Sequence, residues 1–95
     1  MSQRNRISFE KLFEPGQIGK MQLRNRLVMA PMGTSFASED GSVSPRIRAY
    51  YEARAKGGIG LIIVECTCVE RSLGQTSRLA RQLLIDDDKM IPGLR

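Results

Sequence analysis

Two short segments are the best candidates for a chemical site, and each follows an apolar run. The first, Ala30-Pro31-Met32-Gly33-Thr34, follows Leu27-Val28-Met29, and the second, Glu65-Cys66-Thr67, follows residues 59–64. Pro31 has no N–H with which to continue a strand, and Gly33 lets another group approach the main chain closely. Such a turn suits contact between the backbone and a flat ligand. Glu65 could hold a local hydrogen-bond network or contact a neighbouring strand.

The residues that the chain lacks exclude several kinds of site. There is no histidine, so the chain holds no Ser-His or Cys-His couple and no histidine metal site. Neither the dinucleotide fingerprint nor the Walker loop occurs, because Gly57-Gly58-Ile59-Gly60 enters a strand and does not open a helix. Phosphate binding must come from other residues, if it occurs at all.

The two cysteines, Cys66 and Cys68, are separated by one residue. A disulfide between them would be strained and would close almost no loop. Two cysteines alone cannot complete a zinc or iron–sulfur site, so we expect no metal site. Their spacing favours a reduced, intracellular setting, in which Cys68 is a small, partly buried thiol.

The net charge of +5 raises the question of a nucleic-acid partner. The basic residues are spread along the chain between acidic ones, and only 5% of the residues are aromatic. A dispersed, solvated charge explains this pattern better than a surface that stacks bases. We therefore expect no nucleic-acid partner. A basic module that binds RNA or another polyanion remains the alternative function, and a noncatalytic remnant is a third.

No segment has the pattern of a targeting or membrane-spanning sequence. Residues 1–6 are polar and basic, and the apolar run at residues 59–64 is far too short to cross a bilayer. These features predict a soluble cytoplasmic protein with no membrane partner.

The order of apolar runs and turn signals predicts a strand, a loop, a helix and a second strand. Ser44-Pro45 begins a helix that runs to Lys56 and stops at Gly57-Gly58, and Ile47, Tyr51 and Ala55 form its packed stripe. The other predicted elements are a polar leader over residues 1–8, apolar anchors at Phe9 and Phe13, a hairpin around Gly19-Lys20, strands over residues 26–29 and 59–64, loops over residues 30–43 and 69–79, and a helix start at Asp86-Asp87-Asp88.

This order is typical of an α/β protein with parallel strands. Ninety-five residues with 41% hydrophobic content hold at most one domain. Both strands are apolar throughout, so they need cover on both faces and further neighbours, which predicts the opening of a larger domain. Ligands of such folds gather at the carboxyl ends of the strands, in a closed barrel or an open crevice, and both candidate segments lie there.

Short pieces spread along the chain also carry a family resemblance. They are Lys11-Leu12-Phe13-Glu14-Pro15, Ile18-Gly19, residues 23–32, residues 50–65, and residues 87–95 with Ile91-Pro92-Gly93-Leu94-Arg95. In this order they resemble the start of the old yellow enzyme family of NADH:flavin oxidoreductases. The resemblance implies that residues 9–95 are an incomplete, N-terminal portion of an FMN-binding (β/α)8 TIM barrel, about its first two βα units.

The resemblance implies a cofactor and a reaction. FMN would lie along Ala30, Pro31, Met32 and Gly33, mainly against their main chain, and would also touch Cys66. NADH or NADPH would deliver hydride through FMN to an activated alkene, which is an enone, an enoate or an enoyl thioester. The substrate-binding and catalytic residues would lie beyond Arg95, so none is assigned. We expect the isolated 95 residues to be inactive and to retain FMN weakly or not at all.

The segment Pro31-Met32-Gly33-Thr34 further resembles one branch of this family. Many members carry Cys or Thr directly after the Pro-Met or Pro-Leu pair, where this chain has Gly33. With glycine at this position, the segment resembles the branch that contains 2,4-dienoyl-CoA reductases, bile-acid-transforming reductases and related NADH oxidases. The presence of an iron–sulfur cluster or FAD, the substrate and the oligomeric state are left open.

Overall fold

A computed structural model of the chain describes residues 8–75 and 81–95. In chain order the elements are a 3-10 helix Glu10–Phe13, strands β1 (Gly16–Ile18), β2 (Met21–Leu23) and β3 (Val28–Met29), helix α1 (Pro45–Lys56), strands β4 (Leu61–Ile62), β5 (Thr67–Cys68) and β6 (Leu83–Leu84), a 3-10 turn Asp88–Met90 and helix α2 (Ile91–Leu94). Most of the predicted polar leader, residues 1–7, lies outside the described residues. Among those residues, no helix is long and apolar enough to cross a membrane.

The predicted hairpin is present. Strands β1 and β2 pair antiparallel, with Gly16 opposite Leu23 and Ile18 opposite Met21. The turn between them is Gly19-Lys20, and Gly19 has a φ of +57°, a conformation that glycine adopts without a steric cost.

The central βαβ unit is also confirmed. Strands β3 and β4 pair in parallel, with Val28 opposite Leu61 and Met29 opposite Ile62, and α1 lies between them in the chain. Both strands are shorter than predicted. In a parallel ladder the next donor after Met29 would be residue 31, and Pro31 has no N–H to offer, so the pairing stops there.

Helix α1 has the predicted bounds because its ends are capped as the sequence indicates. The Ser44 hydroxyl oxygen accepts a hydrogen bond from Ile47 N at 3.1 Å, and Pro45 occupies the first helical position. At the other end Gly58 takes a φ of +105°. The Arg24 guanidinium donates to Ala55 O at 2.8 Å. Its positive charge also interacts favourably with the negative end of the helix dipole.

The predicted packed stripe on α1 is only partly correct. Ile47 is buried with Ala37 and Leu83, and Tyr51 is half-buried against this cluster. Ala55 is exposed, because none of the described residues covers the last turn of the helix on that side.

The sequence predicts only a loop over residues 69–79 in the region after β4, and residues 76–79 of it lie outside the described residues. The structure adds two paired strands that flank this loop, with β5 before it and β6 after it, parallel to each other and with Thr67 opposite Leu83. Leu84 is buried with Cys68 and Met90. The predicted helix start is confirmed, since Asp87 Oδ1 accepts from Lys89 N at 2.9 Å and helical turns follow.

The described residues leave faces of both apolar strands uncovered, which agrees with the expectation that these strands need further neighbours from a larger domain. Val28 is 49% exposed and Val64 is 48% exposed. Phe9 and Phe13, predicted as anchors, are exposed as well. The reason is that β3 and β4 form a two-stranded sheet without a further strand beside it among the described residues, so the outer strand faces have nothing to pack against.

Candidate functional site

The carboxyl ends of β3 and β4 lie at the same edge of their sheet because the two strands are parallel. The segment after β3, here called the β3 turn (residues 30–34), and Cys66 after β4 therefore share this edge. Ala30, Pro31, Met32, Gly33 and Cys66 are all exposed. The structure thus brings the two predicted segments to one side of the molecule.

The main chain of residues 30–33, the first four residues of the β3 turn, is free to bind a ligand. The last ladder bond runs from Ile63 N to Met29 O at 3.1 Å. Beyond it, the main-chain groups of residues 30–33 make no hydrogen bond to any other described residue. Exposed, unpaired N–H and C=O groups are available to hydrogen-bond a ligand.

The two segments are joined by the side chain of Glu65, which is buried with 2% of its surface exposed. Its Oε2 accepts from Thr34 N at 3.2 Å, and its Oε1 accepts from Thr34 Oγ1 at 2.8 Å. Of the two roles left open for Glu65, the structure assigns the local hydrogen-bond network.

Tyr51 completes this network from helix α1. Its hydroxyl donates to Glu65 Oε1 at 3.1 Å and accepts from Glu65 N at 3.0 Å. Burial raises the pKa of Tyr51 above its usual value, and the nearby Glu65 carboxylate raises it further, although the hydrogen bond from Glu65 N acts in the opposite direction. Tyr51 therefore stays protonated and remains a donor at neutral pH. With its three donors, the buried Glu65 carboxylate is satisfied without an ion-pair partner among the described residues.

The chain after Thr34 is held in an uncommon conformation. Ser35 has a φ of +60°, in the left-handed region that non-glycine residues rarely adopt. Hydrogen bonds on its C-terminal side hold it there, since Phe36 N donates to Thr34 Oγ1 at 3.2 Å and the Ser44 hydroxyl donates to Phe36 O. Thr34 is therefore fixed by Glu65 and by the start of α1 together.

The two cysteines are free thiols with different surroundings. Cys66 is exposed, whereas Cys68 is buried and its Sγ lies 3.0 Å from Glu70 O. The expectation that Cys68 is a small, buried thiol is confirmed.

Sequence reasoning missed part of this site. The sequence presents Thr34 only as the last residue of the first candidate segment, and Tyr51 only as part of the predicted packed stripe of the helix. A usable signal existed: Glu65 ends a fully apolar strand, and a carboxylate there needs donors from neighbouring elements.

These features define a segment of an α/β protein with a parallel βαβ unit and exposed main chain at the carboxyl ends of its strands. The profile of the NADH:flavin oxidoreductase / NADH oxidase family matches residues 11–95. This chain belongs to that family.

Individual relatives agree with this assignment. A NADH oxidase from Thermoanaerobacter brockii is 52% identical over 85 residues, which are 90% of this chain and 13% of that protein. A cinnamate reductase from Clostridium sporogenes is 42% identical over 66 residues, 68% of this chain and 10% of that protein. The chain thus spans only a small part of the length of these relatives.

Among solved structures, the old yellow enzyme from Trypanosoma cruzi matches with a TM-score of 0.73 and 38% identity, covering 90% of this chain and 22% of that one. The resemblance found in the sequence is therefore confirmed. So is the fold class, an N-terminal portion of an old yellow enzyme TIM barrel.

Proposed function

We propose that this chain is the flavin-seating N-terminal part of an FMN-dependent NAD(P)H oxidoreductase that reduces an activated alkene. Membership of the family supports the oxidoreductase class. The cinnamate reductase relative supports the substrate class, because cinnamate is an α,β-unsaturated carboxylate. The observation that carries the proposal is the pair of hydrogen bonds between Thr34 and Glu65, since they join the two segments that would contact the flavin.

The exposed residues at the strand ends fit such a ligand. Ala30, Pro31, Met32 and Gly33 present main-chain groups that are unpaired among the described residues, and these can meet the polar edge and flat face of a flavin ring. Cys66 is exposed at the end of the neighbouring strand and would contact the same ring through its main chain. The thiol of Cys66 has no assigned reaction.

When bound, FMN supplies hydride transfer from NADH or NADPH to the substrate. The residues of this chain bind and orient the ring, and no catalytic residue is assigned among them. We also propose a small-molecule substrate, no nucleic-acid or membrane partner and a cytoplasmic location.

Gly33 followed by Thr34 supports a place in the 2,4-dienoyl-CoA reductase and bile-acid reductase branch. The Thr34 hydroxyl donates to Glu65 and accepts from Phe36 N, so it is committed within the protein. It therefore serves the turn and does not replace the Cys or Thr side chain that other members carry beside the flavin.

The test is to express the complete reading frame that carries these residues and to record its visible absorption spectrum. We expect a flavin spectrum, and oxidation of NADH or NADPH that becomes faster when cinnamate, an enone or an enoyl thioester is added. A folded, colourless protein that cannot be reconstituted with FMN would refute the proposal. If that protein instead retained labelled RNA on a filter, the polyanion-binding alternative would be favoured.

Residues 1–95 produced alone provide a second test. We expect no turnover and weak or absent FMN retention, because the described residues supply only the edge of the site formed by β3 and β4. A tightly flavin-loaded chain of this length would contradict that expectation.

A further inference from the structure

We infer that Glu65 is a positioning residue: its buried carboxylate fixes Thr34 and thereby sets the path of the main chain at residues 30–33 that faces the cofactor. This inference rests on the proposed function, because it assigns a role to Glu65 in the flavin site. The argument starts from neighbours in the chain. Thr34 directly follows Gly33, and Glu65 directly precedes Cys66.

The hydrogen bonds from Thr34 fix its backbone and its side chain together. Thr34 N binds one carboxylate oxygen and Thr34 Oγ1 binds the other. A residue held at both groups cannot rotate about its own backbone without breaking one of these bonds. Residues 30–33 make no main-chain hydrogen bond to any described residue, so Thr34 is the fixed point nearest to Gly33.

The carboxylate is itself held by a third element. Tyr51 on α1 donates to Oε1 and accepts from Glu65 N, so the side chain and the main chain of Glu65 are both tied to the helix. The same helix begins at Ser44, whose hydroxyl holds Phe36 O on the far side of Ser35. The positive φ of Ser35 persists because bonds on both of its sides determine it.

The chemistry of the site requires a carboxylate and not merely a side chain of the same size. Two oxygens accept three donors, from Thr34 N, Thr34 Oγ1 and Tyr51 OH. A glutamine has one acceptor oxygen, so Glu65→Gln either loses the bond to the Thr34 N–H or keeps it only by reversing the two hydroxyl bonds, with its amide N–H groups donating to Thr34 Oγ1 and Tyr51 OH. In either arrangement the negative charge that strengthens all three bonds is lost. The side-chain volume is nearly unchanged, so the variant tests positioning without opening a cavity.

The experiment compares Glu65→Gln with Glu52→Gln in the protein from the complete reading frame. Glu52 is a matched control because it lies on the exposed face of α1, where its only ion pair in the described part of the chain is with Lys56 at 2.7 Å. Amide hydrogen exchange of a peptide covering residues 30–36 is measured without flavin. FMN affinity and the visible spectrum of the bound flavin are measured in parallel.

We expect Glu65→Gln to speed exchange in that peptide and to weaken FMN binding, each by about tenfold, because hydrogen bonds to a charged group are lost. The flavin spectrum should shift as well, while Glu52→Gln changes none of the three. A folded Glu65→Gln protein with wild-type exchange, affinity and spectrum would overturn the inference.

A second pair of variants keeps the test decisive if Glu65→Gln fails to fold. Thr34→Val removes one hydroxyl donor, and Thr34→Ser keeps both donors, so Thr34→Ser should restore the FMN affinity and spectrum that Thr34→Val loses. Equal behaviour of the two would overturn the inference. If the wild-type protein never binds FMN, the proposed function fails, and the exchange measurement alone then decides whether Glu65 positions the turn.

Discussion

The Tyr51 hydroxyl forms two hydrogen bonds with Glu65: it donates to the carboxylate at 3.1 Å and accepts from the Glu65 N–H at 3.0 Å. This relationship links helix α1 to the end of strand β4. It also gives the fold a dependence on alkaline pH, because the phenol must keep its proton to remain a donor.

The first prediction concerns this dependence. The folded-state pKa of Tyr51 is raised, mainly by burial, above the value of about 10 expected in the unfolded chain. The stability that Tyr51 contributes is therefore fully present below about pH 10 and is lost as the pH rises through the folded-state pKa. Urea unfolding from pH 8 to 11 should show a steeper loss of stability for the wild type than for Tyr51→Phe. Parallel curves would contradict this prediction.

At neutral pH Tyr51→Phe should itself be destabilising. The variant leaves the buried Glu65 carboxylate with two donors in place of three, and we expect a cost of about 1–3 kcal/mol in the free energy of unfolding. Urea unfolding at pH 7 measures it. Tyr50→Phe is the control, since no described residue hydrogen-bonds to the Tyr50 hydroxyl.

The third prediction concerns Gly41, which has a φ of +85°. A Cβ there would overlap the side chain of Leu84, which is buried in the core. Gly41→Ala should therefore cost about 2–4 kcal/mol, from the left-handed backbone and from overpacking together. Gly19→Ala is the matched control, because Gly19 also has a positive φ but no atom within 4 Å of the added carbon. If both variants lost the same stability, the Leu84 contact would be unimportant.

Asn25 provides a fourth prediction, because its buried side chain holds β3 and β4 in register. Its Nδ2 donates to Gly58 O at 2.6 Å, and its Oδ1 accepts from Leu27 N at 3.0 Å. Asn25→Asp keeps the acceptor and loses the donor, so we expect a loss of about 1–3 kcal/mol at neutral pH. Thermal unfolding measures this loss. A variant as stable as the wild type would show that the contact with Gly58 is dispensable.

The fifth prediction separates the two thiols. Cys66 is exposed and Cys68 is buried, so a thiol reagent should label Cys66 at least about tenfold faster. Cys66→Ala should abolish the fast phase of labelling, which would identify Cys66 as the fast-reacting thiol. Under the proposed function, FMN should slow this labelling, and Cys66→Ala should change FMN affinity by less than about twofold, since the contact is through the main chain. A large loss of affinity would assign the thiol a direct role.

The sequence predicted local structure well wherever one or two residues determine it. Ser44 and Pro45 begin α1, Gly58 ends it, Gly19 makes the hairpin turn, and Asp87 caps the last helical turns. Capping and turn preferences act over a few bonds, so neighbours in the chain suffice to determine them.

The predictions that failed concern contacts between distant parts of the chain. Strands β5 and β6 are two residues each, too short for a periodic signal, and β6 exists because Leu83 and Leu84 pair with Thr67 and Cys68. The exposure of Ala55 likewise depends on which elements lie beside it.

For the candidate site, the sequence alone determined that two segments, residues 30–34 and 65–67, follow apolar strands, and that a proline and a glycine shape the first. The tertiary structure decided that Glu65 joins them through Thr34, with Tyr51 holding the carboxylate from the helix. The physical reason is that a buried carboxylate must find donors, but which donors it finds depends on three elements meeting within hydrogen-bond distance, and no local rule of sequence specifies that meeting.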